Sequence, residues 1–329
     1  MQQKDKVKVL LITGNGRSGS TLLGVILGQL EGFFNVGEIR RIWDGHNSER
    51  DRELGHEGLC ACGEPFGKCP AWGAIFNEAF GGIDVLDRQK LSAWCRKFSM
   101  HKRIFAPTMR RTAFPWEAQE FEQFLSVLDK LYAAIPQATG SRVVVDASKW
   151  PMYGSMLAKL PSVELYILHL IRDPHAVVHS FTRRKEYKPG FVDIPLQGML
   201  KTIGYWLAVN PAVERFWGRT GKRYLFLPYE SFVRDPRTAL MRIKELVGES
   251  DVALPIRENG AIMTGPTHAI SGNEVRGSRG EIRLRLDDEW KRKMPWAKRT
   301  VISALTWPLL RRYGYAGTGF GYRGRLAEE

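Results

Sequence analysis

Residues 7–30, VKVLLITGNGRSGSTLLGVILGQL, constrain this chain more than any other stretch. Val7 to Ile12 form an apolar run with β-branched members, the pattern of a buried strand. Gly14 and Gly16 break the run. From Leu22 a second rhythm begins: Leu22, Leu23, Ile26, Leu27 and Leu30 recur at three- and four-residue intervals and so share one face of a helix, with Gly32 as its stop. A strand, a glycine-rich turn and a helix opening on Ser20-Thr21 form an anion cradle. The backbone N–H groups of Arg17 to Thr21 converge there, and the helix dipole adds about half a positive charge.

The spacing Gly14-x4-Gly19-Ser20-Thr21 resembles a Walker A loop, with Ser20 where the lysine belongs. A kinase sets that lysine on the transferred phosphate and Mg²⁺ on the next hydroxyl. Here the fixed cation is Arg17, on the loop itself. A P-loop small-molecule kinase is the rival reading, and Ser20 denies it a necessary part.

Across 329 residues, a 43% hydrophobic content suffices for a real core and excludes a disordered or fibrous chain. The first apolar run is too short for a secretory leader and no later run matches a membrane span, so a cytoplasmic location is expected. A net charge of +14 calls for an anionic partner. A nucleic-acid-binding protein is the third reading. It lacks a motif, and aromatics are not interleaved with the loop cations, so no nucleic-acid partner is expected.

Further along, residues 33–39 read as a short extended piece and 40–70 as a long loop or inserted cap. Helices are predicted over about 87–105 and from Pro115 to a stop at Pro136. Residues 142–146, 163–171 and 222–227 read as buried strands, the first two separated by a helix over 151–160. A further helix runs from Pro174 to about Arg184. Strands alternating with helices predict an α/β fold with a P-loop-like, mainly parallel sheet flanked by helices. In such a sheet the strand C-termini lie along one edge, which gathers Arg17 to Thr21, Ser148-Lys149, Arg172 and Tyr229. Ser180 and Arg184 share a helix face beyond Arg172. Arg172-Asp173-Pro174 also reads simply as a helix start capped by Asp173.

Together these residues resemble the sulfotransferases that use 3′-phosphoadenosine 5′-phosphosulfate. GNGRSGSTLL (14–23) is similar to their 5′-phosphosulfate loop, in the version with arginine before Ser-Gly. LIRDPHAVVHS (170–180) is similar to their 3′-phosphate motif, and Arg184 matches an arginine of the tyrosylprotein branch. DASK (146–149) resembles the lysine-bearing loop between the two motifs, and HAISGNEVR (268–276) a late loop of bacterial members, with Glu274 where proline is usual. CACGEPFGKCPAW (60–72) also recurs in bacterial members.

The resemblance implies one sulfotransferase domain over 1–329, with 40–135 inserted as an acceptor-side cap and 255–312 forming a basic loop and helices over the donor site. It implies donor contacts from Gly16, Arg17, Ser18, Gly19, Ser20, Thr21, Arg172, Ser180, Arg184, Tyr229, Ser271, Asn273 and Arg276. Catalytic roles fall to Arg17, Lys149 and Glu38. The donor is 3′-phosphoadenosine 5′-phosphosulfate, no metal is required, and the acceptor is an unidentified hydroxyl (or amine) of a small molecule, carbohydrate or lipid. Glu38 is the leading base, although the family's catalytic glutamate aligns with Ile39; His46, His101 and His268 stand in reserve.

Two features stay open. Cys60, Cys62 and Cys69 fit a zinc site with His56 or Cys95 as the fourth ligand, a disulfide, or simple loop packing. The basic tail either packs Trp290, Trp296 and Leu305 on the body or lays its helices on anionic lipid as a peripheral membrane contact.

Overall fold

A computed structural model describes residues 6–43, 58–99, 115–183, 196–218 and 221–315. Five strands, β1 (Val7–Thr13), β2 (Phe33–Gly37), β3 (Val143–Lys149), β4 (Val163–Ile171) and β5 (Tyr224–Pro228), pair in parallel in the order β2-β3-β1-β4-β5. β1 lies at the centre, in register with Val143 to Asp146 on one side and with Val163 to His169 on the other. Its residues Val9 to Ile12 are fully buried, as expected of a strand covered on both faces.

Alternation sends Val9 and Leu11 into one core and Leu10 and Ile12 into the other. The second core is closed by α1 (Ser20–Leu27) through Leu23, Ile26 and Leu27. The first takes Trp72 and Phe76 from α2 (Pro70–Phe80), Trp94 and Phe98 from α3 (Arg88–Ser99), Phe124 and Leu128 from α4 (Pro115–Thr139), and Tyr153 from α5 (Pro151–Leu157). Then come α6 (Pro174–Thr182) and α7 (Met199–Trp217). After β5, α8 (Tyr229–Arg234) and α9 (Pro236–Leu246) add Phe232, Leu240 and Ile243 to the second core.

α4 does not stop at Pro136. It continues to Thr139, because a proline in the last turn forfeits only one backbone bond, and the left-handed Gly140 (φ 68°) makes the stop by donating to Pro136 O at 2.8 Å. The 87–105 helix is described as α3, and positions 100–105 lie outside the described residues. α2, α7, α8 and α9 have no counterpart among the helices expected from the sequence.

The C-terminal region adds an antiparallel pair, β6 (Ile262–Thr264) and β7 (Gly280–Ile282), then α10 (Trp290–Lys293) and α11 (Trp296–Arg312). Trp290 packs on the body, stacking on buried His175 at 4.8 Å. Trp296 and Leu305 do not, being 73% and 47% exposed. The face of α11 that docks is Ile302, Thr306 and Leu310, spaced four apart, and the two expected anchors lie off it. No helix among the described residues is long and apolar enough to cross a membrane.

Under the C-terminal edge of β3 sits a buried polar knot. Tyr132 donates to Asp146 Oδ2 at 2.6 Å, Ser148 N donates to Oδ1 at 2.8 Å, and Tyr153 Oη lies 3.2 Å from Tyr132 Oη. Burial raises the Asp146 carboxyl to about 6, the hydrogen bonds from Ser148 and Tyr132 oppose it, and nearby Glu38 adds to the rise. Between the ordinary value of 3.8 and about 6, the unfolded chain carries fewer protons than the folded one, so this group's contribution falls as pH rises through that window. Asp146→Asn should flatten that part of the dependence. Urea melts of both proteins across this range test it, and identical slopes would place the titration elsewhere.

Candidate active site

The loop after β1 is tied to the end of β3: Thr13 Oγ1 donates to Lys149 O at 2.6 Å, and Gly14 N to the same oxygen at 3.2 Å. Gly14, at φ 135°, passes so near β4 that a Cβ would sit 2.4 Å from Leu170 O. Gly19 precedes α1 at φ 89°, and a Cβ there would meet the Tyr229 ring at 2.5 Å. No side chain caps α1, which leaves its first amides directed at the loop's hollow. Left-handed Arg17 (φ 65°) and Gly19 bracket Ser18 and curl the loop into a nest of N–H groups. Ser18 Oγ is buried with no hydrogen-bond partner among the described residues.

Gly16, Arg17, Gly19, Ser20, Thr21, Glu38, Lys149 and Asn273 line one cavity of about 240 Å³, together with Arg40, Arg41, Trp150, Phe181 and Gly272. Lys149 Nζ donates to Glu38 Oε1 across the ends of β3 and β2, and both side chains are mostly buried. Burial alone would raise the Glu38 carboxyl. Lys149, Arg41 and Arg40 overcome it, so the group lies below the ordinary range and is an anion at neutral pH. Arg40 and Arg41 had no motif to announce them, only adjacency to Glu38. Arg40 spreads over the Trp150 ring at 4.3 Å.

Arg172 follows β4 and reaches back to the cradle, donating from Nη1 to Arg17 O at 3.1 Å. It lies over the Tyr229 ring at 4.6 Å and pairs with Asp287 at 3.2 Å. Asp173 does cap α6, accepting from His175 N at 2.8 Å, so the helix-start reading and the cation's placement hold together. Ser180 is buried on α6 beside Phe181, whose ring lies 5.8 Å from the Arg17 guanidinium carbon. Arg184 lies outside the described residues, as do His46, His56 and His101.

The late loop docks on the same edge. Ile270 N donates to Val36 O and Glu38 N to Ile270 O, at 2.9 and 2.8 Å. Gly272 abuts Thr21, and Asn273 caps the turn Glu274–Gly277 by accepting from Val275 N at 3.2 Å. The turn forms with Glu274 in place of proline. Arg276 is buried, which lowers its pKa, while Cys60 and Glu38 favour its charge. Among the described residues, Arg17, Lys149 and Ser271 are the non-glycines at positive φ, and all three were selected from sequence. Such strain costs about 1–2 kcal/mol each and concentrates where geometry serves function. His268 is turned away toward Cys60 and Cys69 and is not placed as a base.

A profile described as the sulfotransferase family matches residues 10–251, which include all five strands but the first residues of β1. Among solved structures, the sulfotransferase domain of the Synechococcus PCC 7002 olefin synthase is 21% identical, over 94% of this chain and 96% of its own, with a TM-score of 0.48. The sulfotransferase domain of the curacin biosynthetic pathway is 17% identical, over 94% and 98%, also at 0.48. Sulfotransferase STF9 from Mycobacterium avium is 12% identical, over 94% and 77%, at 0.40. A comparison with curated proteins returns no match. The profile runs through the anion loop, the lysine that ends β3 and the arginine that follows β4, and by it the chain belongs to the sulfotransferase family, enzymes that transfer a sulfuryl group.

Proposed function

We propose that the chain moves a sulfuryl group from 3′-phosphoadenosine 5′-phosphosulfate to a hydroxyl of a small-molecule, carbohydrate or lipid acceptor. The observation that carries this reading is the meeting of Arg17, Lys149 and Glu38 in one cavity at the mouth of an uncapped helix, with Arg172 bonded to the back of the same loop.

In the proposed reaction the acceptor oxygen attacks sulfur, the bond from sulfur to the 5′-phosphate oxygen breaks, and the acceptor proton passes to the Glu38 carboxylate. Charge gathers on the departing phosphate. Arg17, Lys149 and the loop amides would stabilise it. Lys149 has three N–H donors, so it can hold Glu38 and the bridging oxygen together. Arg172, Ser180 and Tyr229, with Ser271, Asn273 and Arg276, would supply the hold on the 3′-phosphate and adenine. The kinase reading is weaker. Ser20 stands for the Walker lysine, and the carboxylate of Glu38 is held by Lys149.

Labelled donor incubated with alcohols, phenols, sugars and glycolipids tests the reaction; γ-phosphate transfer from ATP without sulfate transfer would reverse the reading. Lys149→Ala should lower kcat about 10²–10³-fold, the usual cost of losing one stabilising donor, while the donor Kd by calorimetry moves little. A loss of affinity alone would reassign Lys149 to binding. Arg172→Ala should do the opposite, weakening donor binding about 10–100-fold as one charge-assisted contact is lost, with kcat at saturating donor retained. If Glu38 is the base, the acid limb of kcat/KM lies below the ordinary glutamate range, since a depressed carboxyl stays ionised to lower pH; a limb near neutrality would point to a histidine.

A further inference from the structure

We infer that Cys60, Cys62, Cys69 and His268 form a structural zinc site that fastens the inserted segment to the donor-side loop. Their ligand atoms all lie within 4.8 Å of one another. Cys62 Sγ is 3.8 Å from Cys69 Sγ, and His268 Nδ1 is 3.8 Å from Cys60 Sγ and 3.3 Å from Cys69 Sγ. Zinc bonds of about 2.3 Å to sulfur and about 2.0 Å to nitrogen put neighbouring ligand atoms of a tetrahedron about 3.5–3.8 Å apart. The side chains already stand near the edges of that figure.

The backbone is shaped for the purpose. Gly63 N donates to Cys60 O and Cys60 N to Glu64 O, both at 2.9 Å, folding 60–64 into a tight turn with Gly63 at φ 100°. That turn brings Cys60 and Cys62 to one side. Cys69 is the N-cap of α2, where the helix end favours a thiolate. His268 is oriented from outside the cluster: its ring stacks on Phe34 at 5.9 Å, and its carbonyl accepts from Trp72 Nε1 at 2.8 Å.

The three thiols would yield their protons to solvent as Zn²⁺ binds, and the imidazole would bind neutral through Nδ1. Three thiolates and Zn²⁺ sum to a single negative charge, beside buried Arg276, whose charge Cys60 favours.

Cys60 and Cys69 are 3% and 1% exposed, Cys62 is half-buried, and none of the four cysteines is joined in a disulfide. Soft thiolates with one imidazole in a tetrahedral array select zinc over harder cations. Four ligands with no open position make the site a staple rather than a catalyst. Its position gives the staple its effect. Ser271 lies three residues beyond His268, and Ala61 N donates to Ala269 O at 3.2 Å, so the ion would join the turn at 60–64, the start of α2 and the loop of Asn273 and Arg276.

The test is elemental analysis of the full chain purified under reducing conditions without chelator, with thiols titrated before and after chelation. About one zinc per chain is expected, with three thiols becoming reactive when it is removed. Exchange for Co²⁺ should give a thiolate-to-metal charge-transfer band and the intense visible bands of a tetrahedral site. His268→Ala should lower bound zinc about tenfold or more, and His268→Cys should restore it. Should these variants fail to fold, the wild type decides: its thermal midpoint should drop on chelation and recover with zinc. Reduced, folded chain without stoichiometric zinc and without a tetrahedral cobalt spectrum would overturn the site. So would full zinc content in His268→Ala, or a native disulfide among the three cysteines. None of these measurements uses sulfate transfer, so the outcome is independent of the proposed reaction.

Discussion

The parallel pairing of β1 with β3 on one side and β4 on the other is the constraint on which the rest of the structure depends. A central strand whose neighbours run the same way sends its C-terminal loop out between theirs, at the point where connections diverge to opposite sides. The loop of Arg17 is therefore flanked by Lys149 and by Arg172, and hydrogen bonds to Lys149 O and from Arg172 Nη1 fasten it on both sides. Gly14 is forced by the same packing, because β4 leaves no room for a side chain beside Leu170 O. Sheet order thus turns three remote sequence positions into one electropositive edge.

Gathering cations has a cost that the fold offsets locally. Lys149 is paired with Glu38 and Arg172 with Asp287, so the resting protein supplies its own counter-charges. An incoming anion must share or displace these partners, and its net gain is smaller than the bare attraction would suggest. The same exchange would confer selectivity, since only a ligand that reaches both ends of the edge could replace both partners. Arg17, Lys149 and Ser271 in left-handed backbone add about 1–2 kcal/mol of strain apiece, held in place by well-packed strands and a docked loop.

How much of this was legible depended on the range of the interaction involved. The strand, turn and helix of residues 7–30 are local, and their two periodicities gave the anion loop directly. Arg172 and Lys149 were legible because they directly follow or end apolar runs that could only be buried strands. α7 was missed because Pro211 interrupts a helix whose burial by other elements overrides the local signal. Cys69 and His268 are 199 positions apart, so no local spacing could reveal their meeting; His56 and Cys95 were the nearer guesses. Cys95 donates instead to Arg40 O at 3.3 Å. The tail misled for a related reason: tryptophan content says a helix has apolar surface, but not that the surface faces inward.

A base whose carboxyl is held low is, at first sight, poorly suited to take a proton. Two considerations reconcile Glu38 with that proposed role. Where bond breaking to the leaving group runs ahead of bond making, as in loose phosphoryl-type transition states, the acceptor proton stays with its oxygen until late and becomes acidic only as the new bond forms. A weak base, correctly placed, then suffices, and position matters more than strength. The second consideration is that Lys149 contributes most to the depression, ahead of Arg41 and Arg40, and is also the proposed partner of the departing oxygen. As negative charge built on that oxygen, the lysine would be drawn toward it, and its hold on Glu38 would weaken when the proton must move. The ion pair across β2 and β3 would thus keep the base ionised at rest and raise its proton affinity during transfer.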